Sequence, residues 1–330
     1  MAKFLFEKLT KAAGAFKESR VLLTANELDV FTFMEKGFNA PEALAKKIKA
    51  DKGALERLLN ALCAAKFIIK NKNKYFNTAL TSKFLVRGGK DYIGETLLHH
   101  SNLWKTWSYL TETVKYGQKF KNKALEKEKS SPKNHNSFIM AMHNNARYKA
   151  ETLADKINLK NAKTLIDIGG GPGTYAIYFA RKNKNLNCAV YDLAKTTKIA
   201  EKIIKKYGMQ KRIKTYAGDF LKNTLPNGFD AALLSSIVHI YNKKENAALF
   251  KKVFNCLNPG GKIIIKDYVA DNDGTSPYYA AFFSINMLVA TKGGSVYTEK
   301  ELTLWLKQAG FKNIIRKDIL DFSILEGTRD

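Results

Sequence analysis

At 330 residues the chain is long enough for two domains with separate cores, and its 45% hydrophobic and 26% charged residues are the composition of a globular protein. A net charge of +26 invites a nucleic-acid or anionic-membrane partner. The surplus speaks against both, because 48 of the 56 basic residues are lysine and they are spread evenly, 30 basic against 15 acidic up to position 160 and 26 against 15 thereafter. Nucleic-acid sites gather arginine on one stripe, so the charge reads as the lysine bias of an AT-rich genome.

No run approaches the ~18 apolar residues of a transmembrane helix, and the apolar run from Phe4 to Phe6 is too short for a secretory signal. Cys63, Cys188 and Cys256 are odd in number, far apart and each set in an apolar run. They read as buried thiols in a reducing, cytoplasmic setting rather than as bridges or zinc ligands.

In chain order, Phe4, Leu5, Leu9, Ala12 and Phe16 would line one face of a first helix, whose expected use is packing on a partner subunit. Residues 17 to 86 then read as short helices and a small wing. Leu44, Ala45 and Ile48 mark one helix face; Leu55, Leu58, Leu59, Leu62 and Cys63 mark the next; 67–69 and 75–76 read as two strands around a polar turn. This winged-helix order could set its second helix in a DNA groove, with Lys52, Arg57 and Lys66 at phosphates. Residues 92 to 160 look helical, with Trp104, Trp107 and Tyr109 among them, and the lysine-rich stretch from Lys115 to Lys133 reads as a solvated loop. Strands near 163–168, 187–191, 212–216, 229–234 and 261–268 alternate with helices, and two more are expected near 311–319 and 322–326. The fold class predicted is α/β, a doubly wound seven-stranded sheet behind a mostly helical amino-terminal domain, with divisions at 1–90, 91–160 and 161–330.

The most informative segment is the turn after the first of these strands. Leu165, Ile166 and Ile168 suit a buried strand, and Gly169, Gly171 and Gly173 let the backbone turn sharply and approach a ligand. A spaced-glycine turn alone could also serve NAD. Asp167 stands at the strand's carboxyl end, where a carboxylate can meet a cationic amino group. Asp192 ends the second strand at the distance expected for a ribose-binding carboxylate. The third strand ends in Gly218, Asp219 and Phe220, offering an acceptor for an adenine amine beside an aromatic face, which NAD folds do not ordinarily need.

Together these residues resemble the class I S-adenosylmethionine-dependent methyltransferases, and over nearly the whole chain the O-methyltransferase family of plant and hydroxyindole type with its bacterial members. The resemblance is carried by Phe138 and Met142, Asp167 to Gly173, Asp192 and Leu193, Gly218 to Phe220, Val238 and His239, Pro259 to Gly261, and Met287 to Gly294. It implies S-adenosylmethionine as cofactor, held by Asp167, Gly169, Gly171, Gly173, Asp192, Leu193, Gly218, Asp219, Phe220 and Ser235. It also implies a homodimer built on the amino-terminal domain, and a substrate pocket that includes Phe138, Met142, Phe283, Met287 and Thr291.

Methyl transfer from a sulfonium needs alignment of the acceptor and removal of its proton. A phenolic hydroxyl titrates near ~10, so a positioned base helps at neutral pH. His239 follows the fourth strand at the sheet's carboxyl-end face, where the family places its catalytic histidine, and Asp267 matches a family carboxylate that could fix its tautomer. Two departures stand beside them: the plant pattern has carboxylates where this chain has Ile240 and Val296. The remaining histidines, His99, His100, His135 and His143, lack metal-ligand spacing, so the expected mechanism is metal-independent. The leading expectation is O-methylation of a small aromatic hydroxyl compound. Its rivals are C- or N-methylation or cofactor-assisted decarboxylation or hydroxylation of a larger metabolite, and, from another class, a DNA-binding regulator.

Overall fold

The structure, a computed structural model, describes residues 2–119, 132–319 and 321–330, and divides into two compact units, Met1–Asn102 and Leu103–Asp330. In the first, helices Ala2–Gly14, Phe16–Glu27, Val30–Glu35, Pro41–Ile48 and Lys52–Ala64 lead into an antiparallel hairpin, β1 (Ile68–Asn71) and β2 (Lys74–Asn77), followed by helix Ala79–Leu85. Local chemistry sets these starts. Pro41 occupies the first position of its helix, where its missing N–H would be unsatisfied anyway. Asp51 accepts the Ala54 amide at 2.7 Å to begin the next. The spacing of Leu55, Leu59 and Leu62 then turns all three inward against Phe31, Leu44, Ile68 and Tyr75. Burial of each such side chain contributes roughly 1.5–3 kcal/mol, and the Tyr75 hydroxyl is satisfied by Asn60 Oδ1 at 2.7 Å.

Two details, the wing and Cys63, differ from expectation. The wing strands, 68–71 and 74–77, run closer to each other in sequence than the expected 67–69 and 75–76, because the turn between them is tight and begins at Lys72, whose φ is 51°. Cys63 is half-buried rather than buried, since its helix turns Leu62 into the core instead; Cys188 and Cys256 are buried. Phe4 and Leu9, on the first helix, are 70% and 72% exposed. Lys52, Arg57 and Lys66 are exposed too, with Lys52 paired to Glu42 at 3.3 Å.

The second unit includes helix Leu110–Tyr116 and the long helix Pro132–Lys156. Most of the lysine-rich stretch expected as a loop, 120–131, lies outside the described residues. Its sheet comprises β3 (Thr164–Ile168), β4 (Asn187–Asp192), β5 (Ile213–Ala217), β6 (Phe229–Ser235), β7 (Leu257–Asp267), and, after a short β8 (Val269–Ala270) and β9 (Tyr297–Thr298) pair, β10 (Lys312–Ile319) and β11 (Phe322–Thr328). The spatial order is β10-β11-β7-β6-β3-β4-β5. The five strands from β7 to β5 run parallel; β11 pairs antiparallel with both β7 and β10. β7 begins at Leu257, four residues earlier than predicted, because Leu257 pairs with Phe229 before the register shifts.

Helices Pro132–Lys156, Thr174–Lys182 and Ala194–Lys206 cover one face, and helices Lys243–Cys256 and Glu299–Ala309 the other. From β3 the chain winds one way to β4 and β5, then returns to β6 on the opposite side, which opens a crevice at the carboxyl ends of β3 and β6. Register fixes what points where. Asp167 lies beside Leu233, Leu233 beside Ile264, and Ser235 beside Lys266. Because successive residues of a strand alternate faces, Asp167, Ser235 and Lys266 share the long-helix side, while Asp267 faces the other.

Candidate functional site

The glycine turn closes the end of β3 with three left-handed residues, Gly169, Gly171 and Gly173. A Cβ on Gly169 would come within 2.4 Å of Ile237, whereas one on Gly171 would meet nothing within 4 Å. The first glycine is therefore demanded by packing and the second borders open space. The Gly171 amide donates to Asp192 Oδ2 at 2.8 Å, and the Leu193 amide to Oδ1 at 2.7 Å. Asp192 thus ties the turn to the end of β4, and each of its oxygens keeps a lone pair for a further donor.

Asp167 is fully buried, and neither carboxylate oxygen has a hydrogen-bond partner, the Ala176 amide neighbouring it without completing a bond. Burial first, and then the nearby Asp192, push its pKa up to about 7. A buried acid without a donor is costly, and a cationic group entering the crevice would relieve it. At the end of β5, Asp219 Oδ1 accepts the Leu221 amide at 3.0 Å, and Lys222 stands 3.5 Å from Oδ2. Gly218 packs under the Tyr191 hydroxyl, which a Cβ there would approach to 2.0 Å and force to shift. Phe220 is buried and meets Tyr241 edge-on at 5.4 Å, and Leu193 is exposed. Asp167 without a donor, open space at Gly171 and free lone pairs on Asp192 together fit a cofactor bearing an ammonium and a ribose.

On the opposite side of the sheet, His239 sits in the short turn Val238–Ile240 after β6. Its Nδ1 lies 2.6 Å from Asp267 Oδ1, and both residues are buried. Asp267 is held in turn by the Tyr268 amide at 2.8 Å and the His239 amide at 3.3 Å. Phe283 covers the imidazole edge-on at 4.8 Å and leans on Tyr268 at 4.3 Å. Among the expected pocket residues, Phe283 therefore touches the histidine. Met287 and Thr291 support the glycine pair: the Thr291 hydroxyl donates to Met287 O at 2.8 Å and accepts the Gly294 amide at 2.9 Å. Phe138 and Met142 lie on the long helix, exposed and half-buried. Ile240 is half-buried and Val296 buried, and Val296 helps line a cleft of about 400 Å³ with Gln118, Asn242, Ser284, Leu288 and Gly294.

Three contributions went unread in the sequence. Gln118 Nε2 donates to Gly294 O at 3.0 Å. His143 Nδ1 lies 2.8 Å from the hydroxyl of Thr174, the first residue of the helix after the glycine turn, and burial lowers its pKa to about 4. Lys266 is buried with its Nζ 3.0 Å from Ser236 Oγ. None could have been found by spacing, because each partner comes from a distant element.

Comparison with known proteins identifies the family. Residues 106–312 match the O-methyltransferase domain family, and residues 10–87 match the O-methyltransferase dimerisation domain. The chain is 31% identical to 3-hydroxy-5-methyl-1-naphthoate 3-O-methyltransferase of Streptomyces sahachiroi, over 93% of this chain and 89% of that one. It is 24% identical to the N,N-dimethyltransferase OxyT of Streptomyces rimosus, over 92% and 90%. Human N-acetylserotonin methyltransferase, solved in complex with S-adenosylmethionine, superposes with a TM-score of 0.87 at 22% identity, covering 98% of this chain and 97% of that one.

Proposed function

The chain belongs to the O-methyltransferase family, and from that premise we propose a metal-independent reaction in which His239 takes the proton of a small aromatic hydroxyl during methyl transfer. The enzyme is S-adenosylmethionine-dependent and of the secondary-metabolite type. The observation that carries the finer reading is the His239–Asp267 pair at the carboxyl end of the sheet.

The bound cofactor supplies an electrophilic methyl group on sulfonium sulfur. Asp192 and the glycine turn would orient its ribose, and the unpartnered Asp167 would receive its ammonium. A carboxylate can only accept, so His239 Nδ1 donates to Asp267 and the lone pair is left on Nε2. Nε2 takes the acceptor's proton, and Asp267 stabilises the resulting imidazolium. Phe283 and Tyr268 offer ring faces for a flat acceptor and keep water from the imidazole. Proton removal falls to the histidine, so the mechanism needs no Lewis acid.

The same aromatic wall and the naphthoate-methylating relative support this acceptor class. Two copies join through the amino-terminal unit, which supports a dimer rather than a DNA-binding role for that domain. N-methylation is the second reading, favoured by the apolar Ile240 and Val296: an amine brings its own lone pair and would draw little on His239. Incubation with S-adenosylmethionine and paired hydroxy- and amino-naphthoates, read by mass spectrometry, tests the proposal. Methyl ether formation that depends on His239 supports it. Methylation of the amines alone overturns it.

A further inference from the structure

We propose that Lys266 is a carboxylate-binding residue of the methyl-transfer site, facing the amino-acid end of the cofactor or a carboxylate on the acceptor. The proposal rests on the methyl-transfer reading above. Lys266 is 5% exposed, and its ammonium makes one hydrogen bond, to Ser236 Oγ at 3.0 Å. Otherwise it lies over ring faces, 4.9 Å from the centre of Phe322 and 5.9 Å from that of Tyr268. Among the described residues no carboxylate comes within ion-pair distance of it.

Both carboxylates that could balance the charge are engaged elsewhere. Asp267, the next residue along β7, points to the opposite face and holds His239. Asp321 takes Lys149 with both oxygens, at 2.7 and 2.5 Å. Desolvation accordingly lowers the Lys266 pKa, and Asp267 and Asp321 only oppose the effect. A buried cation with one neutral partner is an expensive arrangement unless an anion joins it in the working state.

Its neighbours say where that anion would come from. Across the ends of β3, β6 and β7, on one face, stand Asp167, Ser235 and Lys266. Asp167 lacks a donor, and the Ser235 hydroxyl lacks a partner, with Tyr175 nearby but not hydrogen-bonded to it. Two strand spacings of about 4.8 Å, with Lys266 two residues beyond the level of Asp167, put the two backbones roughly 12 Å from each other, a gap the lysine's four-carbon stem can shorten. An unsatisfied anion, hydroxyl and cation in sequence are complementary to the ammonium and carboxylate of an α-amino acid. On its other side Lys266 borders Tyr268, which touches Phe283, which touches His239. A carboxylate carried on the acceptor ring would reach the same ammonium from there.

Titration calorimetry on the full chain separates the two sources. Wild type and Lys266→Met are titrated with S-adenosylhomocysteine and with its decarboxylated analogue. The product-saturated proteins are then titrated with 3-hydroxy-1-naphthoate and with 2-naphthol. The proposal expects Lys266→Met to bind the carboxylate-bearing member of one pair about 10- to 100-fold more weakly, with the carboxylate-free member unchanged, and the affected pair names the source. Lys266→Gln should repeat the pattern, and a melting curve for each variant reports folding. Equal weakening within both pairs, or none in either, overturns the assignment. Wild-type binding of S-adenosylhomocysteine reports on the methyl-transfer reading separately.

Discussion

His239 Nδ1 and Asp267 Oδ1 stand 2.6 Å apart, bridging the turn after β6 to the last residue of β7. The ring is thereby fixed in one tautomer with Nε2 as its only basic atom. His239→Ala should leave affinity for S-adenosylhomocysteine intact while lowering turnover roughly 10²- to 10⁴-fold. Asp267→Asn should fall between, and its defect should shrink as pH rises and the acceptor ionises unaided. Calorimetry and a pH–rate profile check both; near-normal turnover of His239→Ala from pH 6 to 9 would make the histidine structural.

Asp192 holds two backbone amides and is expected to accept the ribose hydroxyls as well. Asp192→Ala should weaken both S-adenosylmethionine and S-adenosylhomocysteine by about 1.5–3 kcal/mol per charge-assisted bond lost. The melting temperature should fall too, because the Gly171 and Leu193 amides lose their acceptor. Undiminished affinity in calorimetry would remove Asp192 from the cofactor site.

The carboxyl of Asp167 titrates near 7 rather than at its ordinary 3.8, chiefly through burial and secondly through Asp192. Between those values the folded protein keeps a proton that the unfolded chain has released. Stability present at low pH is therefore lost as pH rises from about 4 to about 7, by up to ~4 kcal/mol. Asp167→Asn should flatten that slope in urea melts of the ligand-free protein. An ammonium favours the ionised acid, so wild-type affinity for S-adenosylhomocysteine should climb from pH 6 to 8 with release of a proton. Binding heat that does not vary with buffer ionisation enthalpy would contradict this.

Gly294 lets the chain pass against the backbone that carries His239. A Cβ there would lie 2.2 Å from His239 O and 2.7 Å from Ile240 O, neither of which can yield as a flexible side chain would. Gly294→Ala should cost about 1–3 kcal/mol of stability and lower turnover by displacing the histidine. A thermal melt with parallel kinetics measures both, and an unchanged melt would show that the loop shifts freely.

The first helix exposes Phe4 and Leu9 in a chain that carries a dimerisation domain. Light scattering at micromolar concentration should give twice the chain mass. A Phe4→Glu, Leu9→Glu double variant should shift toward the single mass if this face is covered by the second copy. A variant that stays fully dimeric would move the interface elsewhere in the domain.

Much of this arrangement was legible from residue order. The seven strands, the glycine turn and the acids ending β3, β4 and β5 each combine an apolar run with a residue type that few other positions need. Lys266 was not legible, because in a chain with 48 lysines one more at the end of a strand says little. What distinguishes it is the cover of Phe322, from a strand 56 positions later. The β8–β9 pair was missed for a similar reason: two residues per strand, Val269 with Tyr297 and Ala270 with Thr298, are too few to show alternation. The bonds of the Thr291 hydroxyl to both sides of its own turn were not legible either, since residue type alone does not reveal that local geometry.

The order β10-β11-β7 has a bearing on synthesis. β11 lies between β7 and β10, so the strand that bridges them is the last of the sheet to leave the ribosome. Until residues 322–328 emerge, β7 keeps an open hydrogen-bonding edge and Lys266 lacks its Phe322 cover, which leaves the nascent domain open to edge-to-edge association. Assembly of this sheet is thus gated by a late antiparallel insertion rather than by its parallel centre, and a ribosome stalled just before β11 should hold a protease-sensitive chain.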